Sequence, residues 1–268
     1  MRIITDSAAD LSQEYIKSHP NLTVLPLKTT YQEKSLENLN HEDFYKLLRT
    51  LDNEFPKTSQ ISPEEYVNEF SKYIDEGLIY ISIGSGFSGS YASANIAKGI
   101  LAETYDVSNL HIFDSKTLTG KQAIFVDFAY ELNAKGVSVE EIFKGFEAID
   151  NQIIFSFLVE DLKYLYAGGR LSKTEMAFGS VLGVRPILTT EDNKACAKAK
   201  VRGLKKGMNY LLDEIKDKKI KKLFIVRCEE TPLFKEFLSQ INIPYTILKM
   251  GPVIATHGGP ECFGIAAL

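Results

Sequence analysis

The chain has three cysteines, Cys196, Cys228 and Cys262, odd in number and widely spaced. That excludes a disulfide framework, and the spacing matches no metal-ligand pattern; reduced thiols are expected. An excess of one charge is also missing. Lys and Arg total 31 against 35 Asp and Glu, and the net charge of −4 gives no electrostatic footprint for nucleic acid. The lysines within 194–206 and 216–222 are interleaved with other residues and read as solvated faces. No apolar run is long enough to cross a bilayer. The opening Met1-Arg-Ile-Ile-Thr-Asp6 enters a strand pattern at once, without a leader-like segment. A cytoplasmic protein is expected. Internal repeats and low-complexity segments are absent. The Gly-x-Ser-x-Gly of a nucleophile elbow is also missing, and no histidine and acid have triad spacing.

What is present is an ordinary globular composition, 44% hydrophobic over 268 residues, enough for one large or two smaller domains. The most informative stretch is Ile79-Tyr-Ile-Ser-Ile-Gly84-Ser85-Gly86-Phe87-Ser88-Gly89-Ser90-Tyr91. It reads as a buried strand, a turn of glycines and hydroxyls, then a helix. Glycines let the backbone turn sharply, and the helix directs its positive dipole end at the turn. Ser85, Ser88 and Ser90 add hydroxyl donors for an anion.

Alternating strand and helix signals run from Met1 to about Asp150 and argue a parallel α/β domain. Strands are expected at 2–5, 22–27, 78–83 and 110–113. Thr29–Asn40 reads as loop or edge hairpin. Ser62-Pro63-Glu64-Glu65 and Ser138-Val139-Glu140-Glu141 are capping boxes that start helices. Thr58 and Ser59 fall in the loop before the first of these. After 152 strands outnumber helices, with candidates at 152–159, 185–190, 194–201, 221–227, 244–250 and 263–267. A mixed sheet with helices on one side is expected there.

Three further groups bear on chemistry. Gly84-x-Gly86-x-x-Gly89, with Asp114 ending the next strand, fits a dinucleotide-binding fingerprint. A tight strand–helix turn with no ligand is the other reading, and a nucleotide-dependent oxidoreductase remains an alternative function. His257, in Thr256-His257-Gly258-Gly259-Pro260, reads as a loop histidine between two strands. Arg170 after Gly168-Gly169, and Arg202, present guanidinium groups that surface positions would equally explain. His19, His41 and His111 read as surface or capping residues.

Taken together, the motifs resemble the DegV family of bacterial fatty-acid-binding proteins. The pieces carrying the resemblance run in order through nearly the whole chain. They are Ile4-Thr-Asp-Ser-Ala-Ala-Asp-Leu11, Lys57-Thr-Ser-Gln60, Gly86-Phe-Ser-Gly-Ser-Tyr91 and Phe113-Asp-Ser115. Later come Leu162-Lys-Tyr-Leu165, Gly168-Gly-Arg-Leu-Ser172, Arg185-Pro-Ile-Leu188 and Gly251-Pro-Val-Ile-Ala-Thr-His257. The resemblance implies two α/β domains, residues 1–152 and 153–268, with a long-chain fatty acid between them. The first would be a parallel-sheet domain like that of dihydroxyacetone kinases, the second a mixed or antiparallel sheet.

It also implies a binding protein without catalysis or cofactor. A separate ATP-dependent kinase would phosphorylate the bound carboxylate. On this resemblance Thr58, Ser59, Ser88, Gly89, Ser90 and His257 are expected around the carboxylate. Arg170 and Arg202 are expected near it or on the kinase-facing surface. Apolar Phe155, Phe157, Leu158 and Leu162 are candidates for the tail. Two features depart from the family pattern. The loop at 84–90 is shorter, and Glu261 replaces a usual glycine, placing a negative charge near the expected site. An interaction protein with an empty cleft is therefore a further alternative.

Overall fold

The computed structural model describes residues 1–36, 38–51, 54–170 and 184–268. The first sheet is parallel, in the order β2-β1-β6-β7, from β1 (Arg2–Asp6), β2 (Leu22–Leu25), β6 (Leu78–Ser82) and β7 (Leu110–Asp114). Central β6 is buried at every position, as a strand covered on both faces must be. Around the sheet lie α1 (Gln13–Ser18), α2 (His41–Arg49), α3 (Pro63–Phe70), α4 (Ser90–Leu101), α5 (Thr119–Ala134) and α6 (Val139–Asp150). Both capping boxes form. Ser62 Oγ accepts from Glu65 N–H at 3.2 Å while Ser62 N–H donates to Glu65 Oε2 at 2.9 Å, and Ser138 and Glu141 repeat the exchange.

The second sheet is mixed and six-stranded, in the order β10-β9-β8-β13-β11-β12. Its strands are β8 (Ile154–Leu158), β9 (Val184–Glu191), β10 (Lys194–Arg202), β11 (Leu223–Arg227), β12 (Thr246–Lys249) and β13 (Phe263–Ala267). Among its described residues only β11 and β12 pair in parallel. With it go α7 (Lys163–Ala167), α8 (Leu204–Ile215), α9 (Pro232–Ser239) and α10 (Pro252–Gly258).

Period-two alternation divides this sheet's side chains between two cores. Leu158, Ile225 and Ile265 join Met208 and Phe234 under α8 and α9. Phe155, Phe157, Phe224, Val226 and Ala266 face the other way, into the core shared with the parallel sheet. Between the sheets runs α5, touching β1, β6, β11 and β13. Its Gly120 explains the close approach: a Cβ there would lie 2.8 Å from Ala266 Cβ and from a Val226 methyl.

Two local expectations are revised. The expected strand 22–27 breaks at Pro26, which has no N–H to give a ladder, and resumes as β3 (Lys28–Tyr31). β3 forms a hairpin with β4 (Lys34–Ser35) and pairs with β5 (Lys57–Ser59). Thr58 and Ser59 therefore stand on a short antiparallel strand rather than in a loop. A three-residue polar strand carries no alternation of its own; its partner defines it.

Candidate functional site

Between the two sheets lies a cavity of about 340 Å³ with more apolar than polar lining. Thr58, Ser59, Gln60, Ser88, Arg170 and His257 are among its polar lining residues. Ile83, Phe157, Leu165, Met250 and Ile254 are among the apolar ones.

Two of these polar groups, Thr58 and His257, are hydrogen-bonded to each other. Pairing of Thr58 with Thr29 across β5 and β3 turns both side chains to one face. That face meets α10, and Thr58 Oγ1 lies 2.9 Å from His257 Nε2. His257 is in the last turn of α10, not in a loop. The small residues around it, read as loop formers, instead allow close packing. A Cβ on Gly168 would come 2.0 Å from His257 Nδ1, so the glycine is the seat of the ring. Burial, then the charge of Arg170, pushes the His257 pKa down from 6.5 to about 3. The imidazole is neutral at physiological pH.

Arg170 follows Gly169, whose φ of 70° turns the chain. Its Nε and Nη2 donate to Phe87 O at 3.2 and 3.1 Å, and Nη1 donates to Gly168 O. The guanidinium is thus fixed across the tip of the glycine turn. Burial lowers its pKa, but a guanidinium stays charged. Ser88 follows Phe87. Its Oγ accepts from Ser90 N–H at 3.2 Å and lies 2.9 Å from Ser90 Oγ, capping α4 from within the turn. Gly89 leaves room for Gln60: a Cβ there would overlap Gln60 Oε1 at 1.8 Å. Gln60 Nε2 in turn donates to Ser93 Oγ at 2.7 Å.

Of the expected site residues, Thr58, Ser59, Ser88, Gly89, Arg170 and His257 line this cavity. Ser90 is fully buried behind Ser88. Arg202 lies apart, exposed at the end of edge strand β10. Ser85, expected as an anion donor, faces away. Its N–H and Oγ donate to Asp114 at 2.9 and 2.6 Å.

The same contacts argue against a dinucleotide at this turn. Asp114 also accepts from Lys116 N–H and Asn193 Nδ2, leaving little capacity for a ribose. The Gly84 and Gly86 faces are covered by 116–117 and by Asn193, not open to a pyrophosphate. Glu261 is not in the cavity either. It pairs with Arg49, which also holds Glu229 at 2.6 Å. Of the four aromatic and aliphatic tail candidates only Phe157 lines the cavity. Leu158, one residue on, points to the opposite core by strand alternation. Leu171 and Ser172 lie outside the described residues.

Sequence reading missed Gln60, although it stands within the quoted Lys57–Gln60 motif. It also missed Gly168 as the seat of the His257 ring and the Phe87 carbonyl as the anchor of Arg170. These roles depend on what lies opposite, which no local pattern records.

Over residues 1–268 the chain matches the family model described as "Uncharacterised protein, DegV family". A DegV domain-containing protein of Clostridium acetobutylicum is 34% identical over 275 residues, covering 99% of this chain and 97% of that protein. Another, from Caldanaerobacter subterraneus subsp. tengcongensis, is 31% identical over 98% of this chain and 96% of its own. A solved structure of a stearic acid-binding protein from Eubacterium ventriosum is similar at 28% identity and TM-score 0.86, covering 100% of this chain and 98% of that one. DegV, a fatty acid binding protein from Bacillus subtilis, is similar at 28% identity and TM-score 0.85, covering 99% and 98%. With its parallel and mixed sheets and a match along its full length, this chain belongs to the DegV family.

Proposed function

We propose that this protein binds a long-chain fatty acid between two lobes, residues 1–152 and 153–268. The observation that carries the reading is the convergence of Thr58, Ser88, Arg170 and His257 on a largely apolar cavity. A fatty acid needs this combination. Its methylenes gain about 0.8 kcal/mol each on burial, so the tail supplies most of the affinity. Its carboxylate needs enough donors to offset desolvation. The Thr58 hydroxyl, with the neutral His257 ring donating to its oxygen, and the Ser88 hydroxyl supply them, and Arg170 supplies positive charge. Because Arg170 is already held by two backbone carbonyls, it biases the field without clamping the carboxylate. The solved relatives from Eubacterium ventriosum and Bacillus subtilis, which are described as fatty acid binders, support the assignment.

In this reading the protein is not itself an enzyme. It acts in the cytoplasm and presents the carboxylate to a separate kinase, which transfers a phosphoryl group from ATP to a carboxylate oxygen, giving an acyl phosphate and ADP. Among the described residues no helix is long and apolar enough to cross a membrane.

Mass spectrometry of an organic extract of the purified protein tests the binding. A co-purifying fatty acid is expected. Absence of any acid, with no uptake of added palmitate or oleate, overturns the reading. The presenting role is read from hydroxamate trapping of acyl phosphate. Product should require loaded protein, ATP and the host's kinase subunit together; product from this chain alone would make it an enzyme.

A further inference from the structure

Ser88, on the cavity wall, is the outer end of a buried row of hydroxyls. Its Oγ lies 2.9 Å from Ser90 Oγ. The Ser90 side chain, at the start of α4, hydrogen-bonds the Tyr66 hydroxyl on α3. The Tyr66 and Tyr80 hydroxyls are 2.6 Å apart, and Tyr80, on β6, donates to Asp6 Oδ2 at 2.8 Å. Asp6 is the last residue of β1. Ser90, Tyr66, Tyr80 and Asp6 are all fully buried. Four elements thus connect the cavity to one carboxyl group.

A hydroxyl has one proton to give, so the row has a direction. Asp6 Oδ1 accepts from Ala8 N–H at 3.2 Å and from Gln122 Nε2 at 3.1 Å. Oδ2 accepts from Ile83 N–H at 2.7 Å as well as from Tyr80. An ionised Asp6 takes up the Tyr80 proton. Tyr80 must then receive from Tyr66, Tyr66 from Ser90, and Ser90 from Ser88. Ser88 Oγ meanwhile accepts the Ser90 N–H. Its single proton is committed to Ser90, so a carboxylate that takes this proton breaks one bond of the row.

A protonated Asp6 reverses every step. Ala8 and Ile83 offer it N–H groups only, and Gln122 Nε2 is also held by Ile81 O. Of the four partners Tyr80 alone can accept. The Asp6 proton goes to Tyr80, each hydroxyl turns, and the Ser88 proton faces the cavity with no bond lost. Burial pushes the Asp6 pKa up, and the four donors oppose the rise. Asp10, Tyr66 and Tyr80 face its charge, and none of the three is a cation.

We propose that Asp6, Tyr80, Tyr66 and Ser90 are positioning residues, which set the direction of the Ser88 hydroxyl and couple carboxylate binding to the uptake of one proton at Asp6 Oδ2. A fatty acid that enters as the neutral acid supplies this proton. Its O–H bond breaks as Ser88 receives the proton, each hydroxyl hands one proton on, and an O–H bond forms on Asp6. The acid is left as the anion, with the Ser88 proton pointing at it. The proposal rests on the fatty-acid reading and adds to it the state in which Ser88 can donate.

The test is titration calorimetry of myristic acid on delipidated protein at pH 8, in phosphate and in Tris, whose different ionisation heats count the protons taken up. Affinity is measured from pH 7 to 9. In this range Arg170 stays charged, and His257, with a pKa of about 3, stays neutral. Uptake of about one proton per acid is expected, with affinity falling by up to about tenfold per pH unit. Tyr66→Phe removes one hydroxyl and cuts the row, so the uptake and the pH dependence should both disappear. Tyr80→Phe is a second cut with the same expectation. Thermal melting shows which variants are folded, and either one suffices. Asp10, pushed up to about 8 by burial, also titrates here, but it bonds Thr119 and Gly251 rather than the row. A proton taken up there would persist in both variants. No uptake by the parent, or uptake that persists in a folded variant, overturns the relay while leaving fatty acid binding intact. Failure of the parent to bind myristic acid overturns the fatty-acid reading itself.

Discussion

Thr58 and His257 stand 199 residues apart in sequence, yet Thr58 Oγ1 lies 2.9 Å from His257 Nε2. One comes from a three-residue strand beside the parallel sheet, the other from the last turn of α10. Their contact joins the two halves of the chain at the polar end of the cavity.

Removing the Thr58 hydroxyl leaves the buried imidazole without its partner. Thr58→Ala should weaken fatty acid binding about tenfold, near the net value of one hydrogen bond to a charged group. Thr58→Ser should retain most of the affinity. Ser88→Ala should weaken binding similarly, and circular dichroism should show both variants folded. Unchanged affinity in the Thr58→Ala, Ser88→Ala double variant would place the head group elsewhere.

Gly168→Ala tests the seat of the ring. The added methyl would sit 2.0 Å from His257 Nδ1, far inside contact distance. The ring must swing away, at a cost of about 1–3 kcal/mol in stability. Binding should fall even where the protein stays folded, because the Thr58 contact is lost with the ring. The neighbouring change Gly169→Ala is a different test: its Cβ meets nothing within 4 Å among the described residues, and the cost there comes from the φ of 70°. Equal loss of binding in both would remove the steric argument.

His257 makes stability depend on pH in a known direction. Its folded pKa, about 3, is below the unfolded 6.5, so the unfolded state binds more protons in between. The contribution of the neutral imidazole is complete above 6.5 and is lost as pH falls toward about 3. His257→Gln should therefore lose less stability on acidification across that window than the parent, by chemical denaturation at each pH. In NMR the imidazole should show no titration near 6.5. An inflection there means that the ring is reached by water.

Arg49 bridges Glu229 and Glu261 at the edge of the two lobes. Glu261 hydrogen-bonds Glu160; that bond, then burial, raises the Glu160 pKa to about 7, while Arg49 and Arg185 oppose the rise. Glu261 is correspondingly lowered, so the two carboxyls hold one proton between them. Arg49→Ala should cost on the order of 1 kcal/mol at neutral pH, since the network is partly exposed and screened. A raised carboxyl favours the folded state only while protonated, so the deficit should shrink as pH falls below about 7. A deficit that does not vary with pH would show that the carboxylates relax apart.

Much of this protein is written locally. Ser62 with Glu65 and Ser138 with Glu141 start their helices because each box closes within one turn, whatever surrounds it. The apolar runs Leu78–Ser82 and Phe263–Ala267 state their burial in composition alone. The order of motifs was enough for the family and for its two kinds of sheet. Other features depended on the partner across the gap. Thr58 became a strand residue because Thr29 pairs with it, and His257 became helical because α10 packs against that strand. Ser85, chemically equal to Ser88 in the sequence, was drawn away by Asp114. Glu261 was taken up by Arg49 from the other end of the chain. Local hydrogen bonds and hydrophobic periodicity act over a few residues and can be read in order. Cavities, ion pairs and the direction of a hydroxyl depend on which distant surfaces meet, and only the packed chain sets that.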